Sequence, residues 1–160
     1  MPHRITLERN TLRFAAAHFT TSGGECEPLH GHNYDLFVQI DGALSADSWV
    51  IDFGMAKRIV RSLCEELDHR FLLAAASRDL QIDDTNGVVT IVHRDRRYVM
   101  PKADVAALHI DNTTAERLAE WFAGRLATAL AAAAADNLTS ITVGVEEMPG
   151  QAGWFTLDLR

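Results

Sequence analysis

Three histidines and a cysteine fall within fifteen residues of this chain, His18, Cys26, His30 and His32, and no other feature constrains its folding as tightly. Side chains alternate along an extended strand, so the His30-Gly31-His32 spacing points both imidazoles to one face. His18 closes an alternating segment over 3–19, in which Ile5, Leu7, Leu12 and Phe14 are the apolar positions and a bulge is expected near Glu8 to Asn10. A second segment, Asn33 to Ile40, alternates Tyr34, Leu36, Val38 and Ile40 with polar residues and stops at Asp41-Gly42. Two strands joined by the Thr20–Glu25 loop, with Gly23-Gly24 in it, bring the three histidines together.

Three imidazoles with one coordination position left open form a catalytic zinc site rather than a structural one. Cys26 has two readings here. It is a reactive thiolate at the rim of that site, or a small buried apolar residue. A His-x-His pair alone is a weak signal, but only seven histidines occur in the whole chain and three gather here.

Asp52 is the expected N-cap of a helix whose apolar positions are Met55, Ile59, Leu63 and Leu67 and which ends near Asp68-His69. Residues 86–101 read as an inserted hairpin, Val88 to Val92, a polar turn at Arg94 to Arg96, then Tyr98 to Met100. A second helix is expected from about Thr114 to Ala135, capped by Thr113 or Thr114, with Leu118, Trp121, Phe122 and Leu126 on its apolar face. Two strands close the chain, Ile141 to Glu147 and Trp154 to Leu159. The order predicts one α+β domain over 1–160, an antiparallel four-stranded sheet with two helices on one face.

Charge narrows the partners. A formal net charge of -7 and a pI near 5.4 disfavour a nucleic-acid binder, while leaving room for a small anionic substrate in a local pocket. Leu126 to Ala135 is the longest apolar stretch and too short to cross a bilayer, so no membrane partner is expected. Two cysteines are too few for a disulfide framework, and no charged region precedes an apolar one at the start. A reduced, cytoplasmic protein is the expectation.

The segments Phe14 to His18, Cys26 to Tyr34, Val50-Ile51-Asp52-Phe53, Leu67-Asp68-His69, Thr113-Thr114-Ala115-Glu116 and Val143 to Glu147, in this order and spacing, resemble the 6-pyruvoyl-tetrahydropterin synthase family, including its 6-carboxy-tetrahydropterin synthase branch. The resemblance implies a tunnelling fold, in which subunit sheets join into an oligomeric barrel, commonly a homohexamer, with active sites between subunits. It implies a zinc-dependent lyase acting on the side chain of 7,8-dihydroneopterin triphosphate or a related pterin. The pathway stays open between deazapurine nucleoside (queuosine), biopterin and folate-like routes. His18, His30 and His32 resemble the Zn2+ ligands. Cys26 resembles the catalytic base, and Asp68 with His69 the relay beside it. Glu147 resembles the acid that anchors the pterin, with Thr113 and Thr114 near the same pocket.

Each role has a plainer counterpart. Asp68-His69 suits an ordinary helix C-terminus, Thr113 and Thr114 suit helix caps, and Glu147 suits a solvated strand end. The segment from Leu73 to Thr113 is longer than in short members of the family. Thr113 stands where a proline is common, and Arg117 where an asparagine is. Glu25 and Glu27 flank Cys26 and oppose its ionisation. The alternatives are a homologue that cleaves the side chain of dihydroneopterin in aldolase fashion and a non-catalytic zinc or pterin binder; should Cys26 not serve as the base, Glu27 is the candidate to take over.

Overall fold

The computed structural model describes residues 2–133 and 135–159. Strand β1 (His3–His18) pairs antiparallel with β4 (His30–Gly42), and two short strands between them, β2 (Thr21–Ser22) and β3 (Glu25–Cys26), form a ribbon. The bulge expected in β1 is present. Glu8 lies opposite Phe37 and the pairing resumes with Arg13 opposite Asp35, so the stretch 9–12 faces Leu36 alone. The surplus is odd, and with a period of two the strand changes face across it. Leu7 is buried before the bulge, and Leu12, Phe14, Ala16 and His18 after it. The bulge is what turns His18 inward.

Helix α1 (Phe53–Leu67) starts where the Asp52 carboxylate accepts the Met55 amide at 2.7 Å, and it buries Ala56, Val60, Leu63, Cys64 and Leu67 at helical spacing. Helix α2 (Ala115–Ala132) is capped by Thr114, whose hydroxyl accepts the Arg117 amide at 3.4 Å. It ends short of the expected Ala135, and Ala134 lies outside the described residues. Two antiparallel strands follow, β10 (Leu138–Met148) and β11 (Gln151–Asp158). One core joins Tyr34, Leu36, Val38 and Ile40 of β4, Ile141, Val143 and Val145 of β10, Val60 and Leu63 of α1, and Leu118, Phe122 and Leu126 of α2. Both helices therefore cover the same face.

The four-stranded antiparallel expectation needs correction. Two further strands, β5 (Arg70–Ala74) and β9 (Val105–Leu108), extend the sheet in parallel, giving six strands in the order β11-β10-β4-β1-β5-β9. Residues 71–74 of β5 and all of β9 are short unbroken apolar runs, and periodicity cannot separate such runs from a buried helix segment. The inserted hairpin is likewise larger than expected. Strands β6 (Gln81–Thr85), β7 (Val88–His93) and β8 (Arg96–Pro101) make a separate three-stranded antiparallel sheet. Strand β6 escaped the pattern because Ile82 is its only large apolar residue. This sheet packs through Val89 and Ile91 onto Phe19, Cys26, Phe71, Leu73 and Val105, a second and smaller core. No helix among the described residues is long and apolar enough to cross a membrane.

Candidate metal centre

The antiparallel register sets His18 directly opposite His30, with His32 one side-chain period further along the same face. Their ring centroids lie 4.7 Å apart for His18 and His30, 5.2 Å for His18 and His32, and 4.9 Å for His30 and His32. One nitrogen from each ring falls within 4.8 Å of the others, the only group of its kind among the described residues. Tyr34 floors the cluster, 5.4 Å from the His32 ring and 5.9 Å from that of His18.

Hydrogen bonds fix how two of the rings present themselves. His18 is 1% exposed, and its Nδ1 donates to the Thr113 carbonyl at 3.0 Å, with the Thr113 hydroxyl 3.2 Å away. Thr113 is itself held by a bond from its hydroxyl to the Phe19 carbonyl at 3.0 Å. A proton on Nδ1 leaves the lone pair of His18 on Nε2. His30 Nδ1 likewise meets the Pro28 carbonyl at 2.8 Å. His18 Nε2, His32 Nε2, Tyr34 Oη and Glu147 Oε1 are all buried with no hydrogen-bond partner in the chain.

Such unsatisfied groups are costly without a ligand. Burial, aided by the charge of His30, lowers the His18 pKa to about 4, and the same two causes lower that of His32. Both rings are thus held neutral, as ligation requires. A zinc ion fits this donor set of three imidazoles.

A cavity of about 430 Å³ opens over the histidines, lined also by Thr20, Glu27, Thr114, Glu116, Glu147 and the Gln151–Gly153 run. Glu147 Oε1 lies 4.0 Å from His18 Nε2. Burial raises its pKa, with the charges of Glu116 and Glu27 adding to the effect. Its neighbour Glu146 turns away and accepts the Gly150 amide at 2.9 Å, closing the β10–β11 turn. The two acids part at an irregularity between Glu146 and Met148.

Gly153 brings the N-terminus of α2 against β11. A Cβ there would stand 2.5 Å from the Glu116 nitrogen. A glycine inside a strand often marks such a close approach, and that is the sequence signal for the wall that the Gln151–Gly153 run contributes to the cavity.

The remaining residues singled out from the sequence separate. Thr114 lines the cavity, whereas Thr113 stands behind His18 and orients it. The Cys26 side chain does not line the cavity. It is buried in the smaller core, where desolvation raises the thiol's pKa, the Glu27 charge adds to the rise and Arg96 opposes it. Adjacent side chains of an extended segment point oppositely, and the next residue, Glu27, is the one at the cavity. Thr20 donates to its carboxylate, from the backbone at 3.3 Å, and hydrogen bonding from Thr20 holds the Glu27 pKa below the usual carboxylate range.

Asp68 and His69 lie elsewhere. The Asp68 carboxylate accepts the Ala15 amide at 2.8 Å and His69 Nδ1 at 2.9 Å, and the Ala15 bond is the main cause that lowers its pKa. His69 takes a left-handed backbone, φ 56°, and its side chain is 83% exposed. It borders a second cavity, about 570 Å³, lined by Ala15–Ala17, Gly31, Asn33, Arg70, Phe71, Met100 and Asp104, and meeting the first at His32.

The sequence profile described as 6-pyruvoyl tetrahydropterin synthase matches residues 6–157. A Methanocaldococcus jannaschii protein provisionally named as a 6-carboxy-5,6,7,8-tetrahydropterin synthase is 32% identical over 145 residues, covering 90% of this chain and 89% of its own. The dihydroneopterin monophosphate aldolase of Pyrococcus furiosus is 41% identical over 59 residues, 37% of this chain and 50% of that protein. The solved structure of a Plasmodium vivax 6-pyruvoyltetrahydropterin synthase, in which a catalytic glutamate is replaced by alanine, superposes with a TM-score of 0.92 at 28% identity and 99% coverage of both chains.

Proposed function

Because the chain belongs to the 6-pyruvoyl tetrahydropterin synthase family, we propose that it is a zinc-dependent lyase acting on the side chain of 7,8-dihydroneopterin triphosphate or a closely related reduced pterin. The observation that carries the metal part is the pair of buried, unpartnered nitrogens, His18 Nε2 and His32 Nε2, gathered with His30 beside an unpartnered Glu147 oxygen. Zinc held there supplies a Lewis acid that lowers the pKa of a substrate hydroxyl.

The chain's own residues do the rest. Thr113 keeps the proton of His18 on Nδ1. Glu147 accepts two hydrogen bonds from the amino group and ring N–H of the pterin, which satisfy its buried oxygen and favour its ionised form. Two side chains of one segment compete for the role of base. The resemblance favours Cys26, relayed through Asp68 and His69, and position favours Glu27.

A second reading follows from that position. A carboxylate at the cavity, with the thiol packed away, can serve as the base of an aldolase-like cleavage of the side chain as well as of an elimination. The likeness to the P. furiosus aldolase supports this cleavage, while the catalytic glutamate of the P. vivax synthase supports a carboxylate as base in either reaction.

The reading includes a homo-oligomer, of hexamer type. Strands β11 and β9 end the sheet with one unpaired edge each among the described strands, and joining such edges is how a barrel removes them. The two cysteines, both free, suit a reducing, cytoplasmic setting.

One experiment tests the activity. Zinc-loaded protein is incubated with dihydroneopterin triphosphate, its monophosphate and dihydroneopterin, and products are identified by mass. Inorganic triphosphate with all three side-chain carbons retained marks 6-pyruvoyl formation, triphosphate together with a two-carbon aldehyde marks 6-carboxy formation, and a two-carbon aldehyde that keeps any phosphate, beside a 6-hydroxymethyl pterin, marks retro-aldol cleavage. No turnover of any of the three overturns the reading.

A further inference from the structure

Gly24 to Glu27 should be a mobile stretch by its own chemistry. It leaves a Gly23-Gly24 turn with both glycines at positive φ, 59° and 77°, and its only strand pairing is the two-residue ribbon. A ribbon that short is not stable alone. Yet the turn between β7 and β8 holds each of its four residues. His93 Nε2 donates to the Gly24 carbonyl at 3.0 Å, and Arg94 pairs with the Glu25 carboxylate. Arg96 Nη1 donates to the carbonyls of both Cys26 and Glu27, at 2.9 Å each. The Cys26 side chain adds an apolar anchor among Val89 and Ile91 of the same inserted sheet.

We propose that the β7–β8 turn is a brace for this segment, and that Arg96 is a positioning residue that keeps the Glu27 side chain at the histidine cavity. The consequence for turnover rests on the pterin reading above; the brace itself does not. One guanidinium nitrogen carries two N–H groups, and Arg96 spends both on consecutive carbonyls. The bend between them sends Cys26 down into the smaller core and Glu27 out to the cavity. His93 is 6% exposed, so the turn is fastened to the insertion at its base. The insertion, which the histidine site does not otherwise use, thereby sets the geometry of one wall of that site.

Arg96→Met keeps the apolar stem and removes the donors, and Arg96→Lys restores an ammonium able to reach the same carbonyls. Hydrogen exchange in the zinc-loaded assembly, read on the peptide spanning Gly23 to Glu27, should quicken about tenfold or more in Arg96→Met and largely recover in Arg96→Lys, since bonds to charged donors are among the stronger ones. With pterin substrate, kcat should fall roughly tenfold to a hundredfold in Arg96→Met, with KM and zinc content near wild type, because a base misplaced by an ångström forfeits about that much. Unchanged exchange in Arg96→Met overturns the brace. Quickened exchange with wild-type kcat overturns the positioning role. A wild-type protein that turns over no pterin refutes the functional reading instead, and the exchange comparison still decides the brace.

Discussion

The two cavities that meet at His32 are built from the same pair of strands and differ in how finished they are. On one side, His18 is buried, His32 and Glu147 are half-buried, and each has a buried, unpartnered atom beside a cavity of about 430 Å³. Backbone carbonyls fix His18 and His30 from behind. On the other, Ala15–Ala17 make a bare floor to about 570 Å³, Asp68 spends its carboxylate on Ala15 and His69, and His69 stands almost wholly in solvent. The first arrangement is organised to receive a ligand within one chain. The second presents its titratable pair outward, as a surface that another copy would cover. On the proposed assembly, the metal-binding half of a site comes from one chain and the proton-relaying half from another.

The sharpest way to break that contrast is to remove the organised half. His30→Ala with His32→Ala should take bound zinc from about one per chain to none and cut turnover by at least ~1000-fold. Stoichiometric zinc in the double variant, measured by metal analysis, would contradict the ligand assignment.

Next in size is the choice of base. If position governs, Glu27→Gln should lower kcat by about 100-fold or more, while Cys26→Ala mainly leaves a small void, worth about 1–2 kcal/mol of stability. The opposite pattern in steady-state rates would restore Cys26 as the base and imply that the segment rearranges on substrate binding.

A mixing experiment sharpens the comparison across chains. His32→Ala and His69→Ala are expected to be nearly inactive alone. Co-refolded in equal amounts, they should regain roughly a quarter of wild-type activity if each site draws the two residues from different copies. No recovery in a properly assembled mixture would place both in the same chain's site.

The smallest expected effect concerns acid stability without metal. His18 carries a folded pKa of about 4 against 6.5 unfolded, so below pH 6.5 the unfolded chain binds the extra proton and stability falls with pH. The loss starts near pH 6.5 and is complete below about 4, reaching roughly 3 kcal/mol at 1.36 kcal/mol per pH unit. Calorimetry of metal-stripped protein should record a Tm drop of about 10 °C across that window. His18→Asn should flatten the curve.

Much of this was legible in the sequence because it rests on alternation. The gathering of His18, His30 and His32 by two paired strands, the β1 bulge and the Asp52 cap all follow from a period of two or from capping chemistry. What escaped depends on contacts between distant segments. Strands β5 and β9 pair in parallel through runs that carry no alternation. Cys26 goes into a core made by residues of the insertion, which nothing local to Cys26 announces. Thr113 proved to be a ring holder rather than a cavity wall because of a carbonyl, which a side-chain pattern does not register.

The bulge in β1 also sets a rule for changes in chain length. Side-chain direction repeats every two residues, so only an odd surplus between Glu8 and Arg13 lets Leu7 and His18 both face inward. Deleting one residue from 9–11 leaves an even surplus, and one half of the strand must then turn its apolar side chains or His18 outward. Deleting two restores the parity at the price of a tighter bend. Insertions and deletions in this stretch are therefore admissible in pairs and damaging singly, whatever residues they involve. The stretch behaves as a counter whose evenness or oddness, rather than its composition, decides whether His18 stays with the other two histidines.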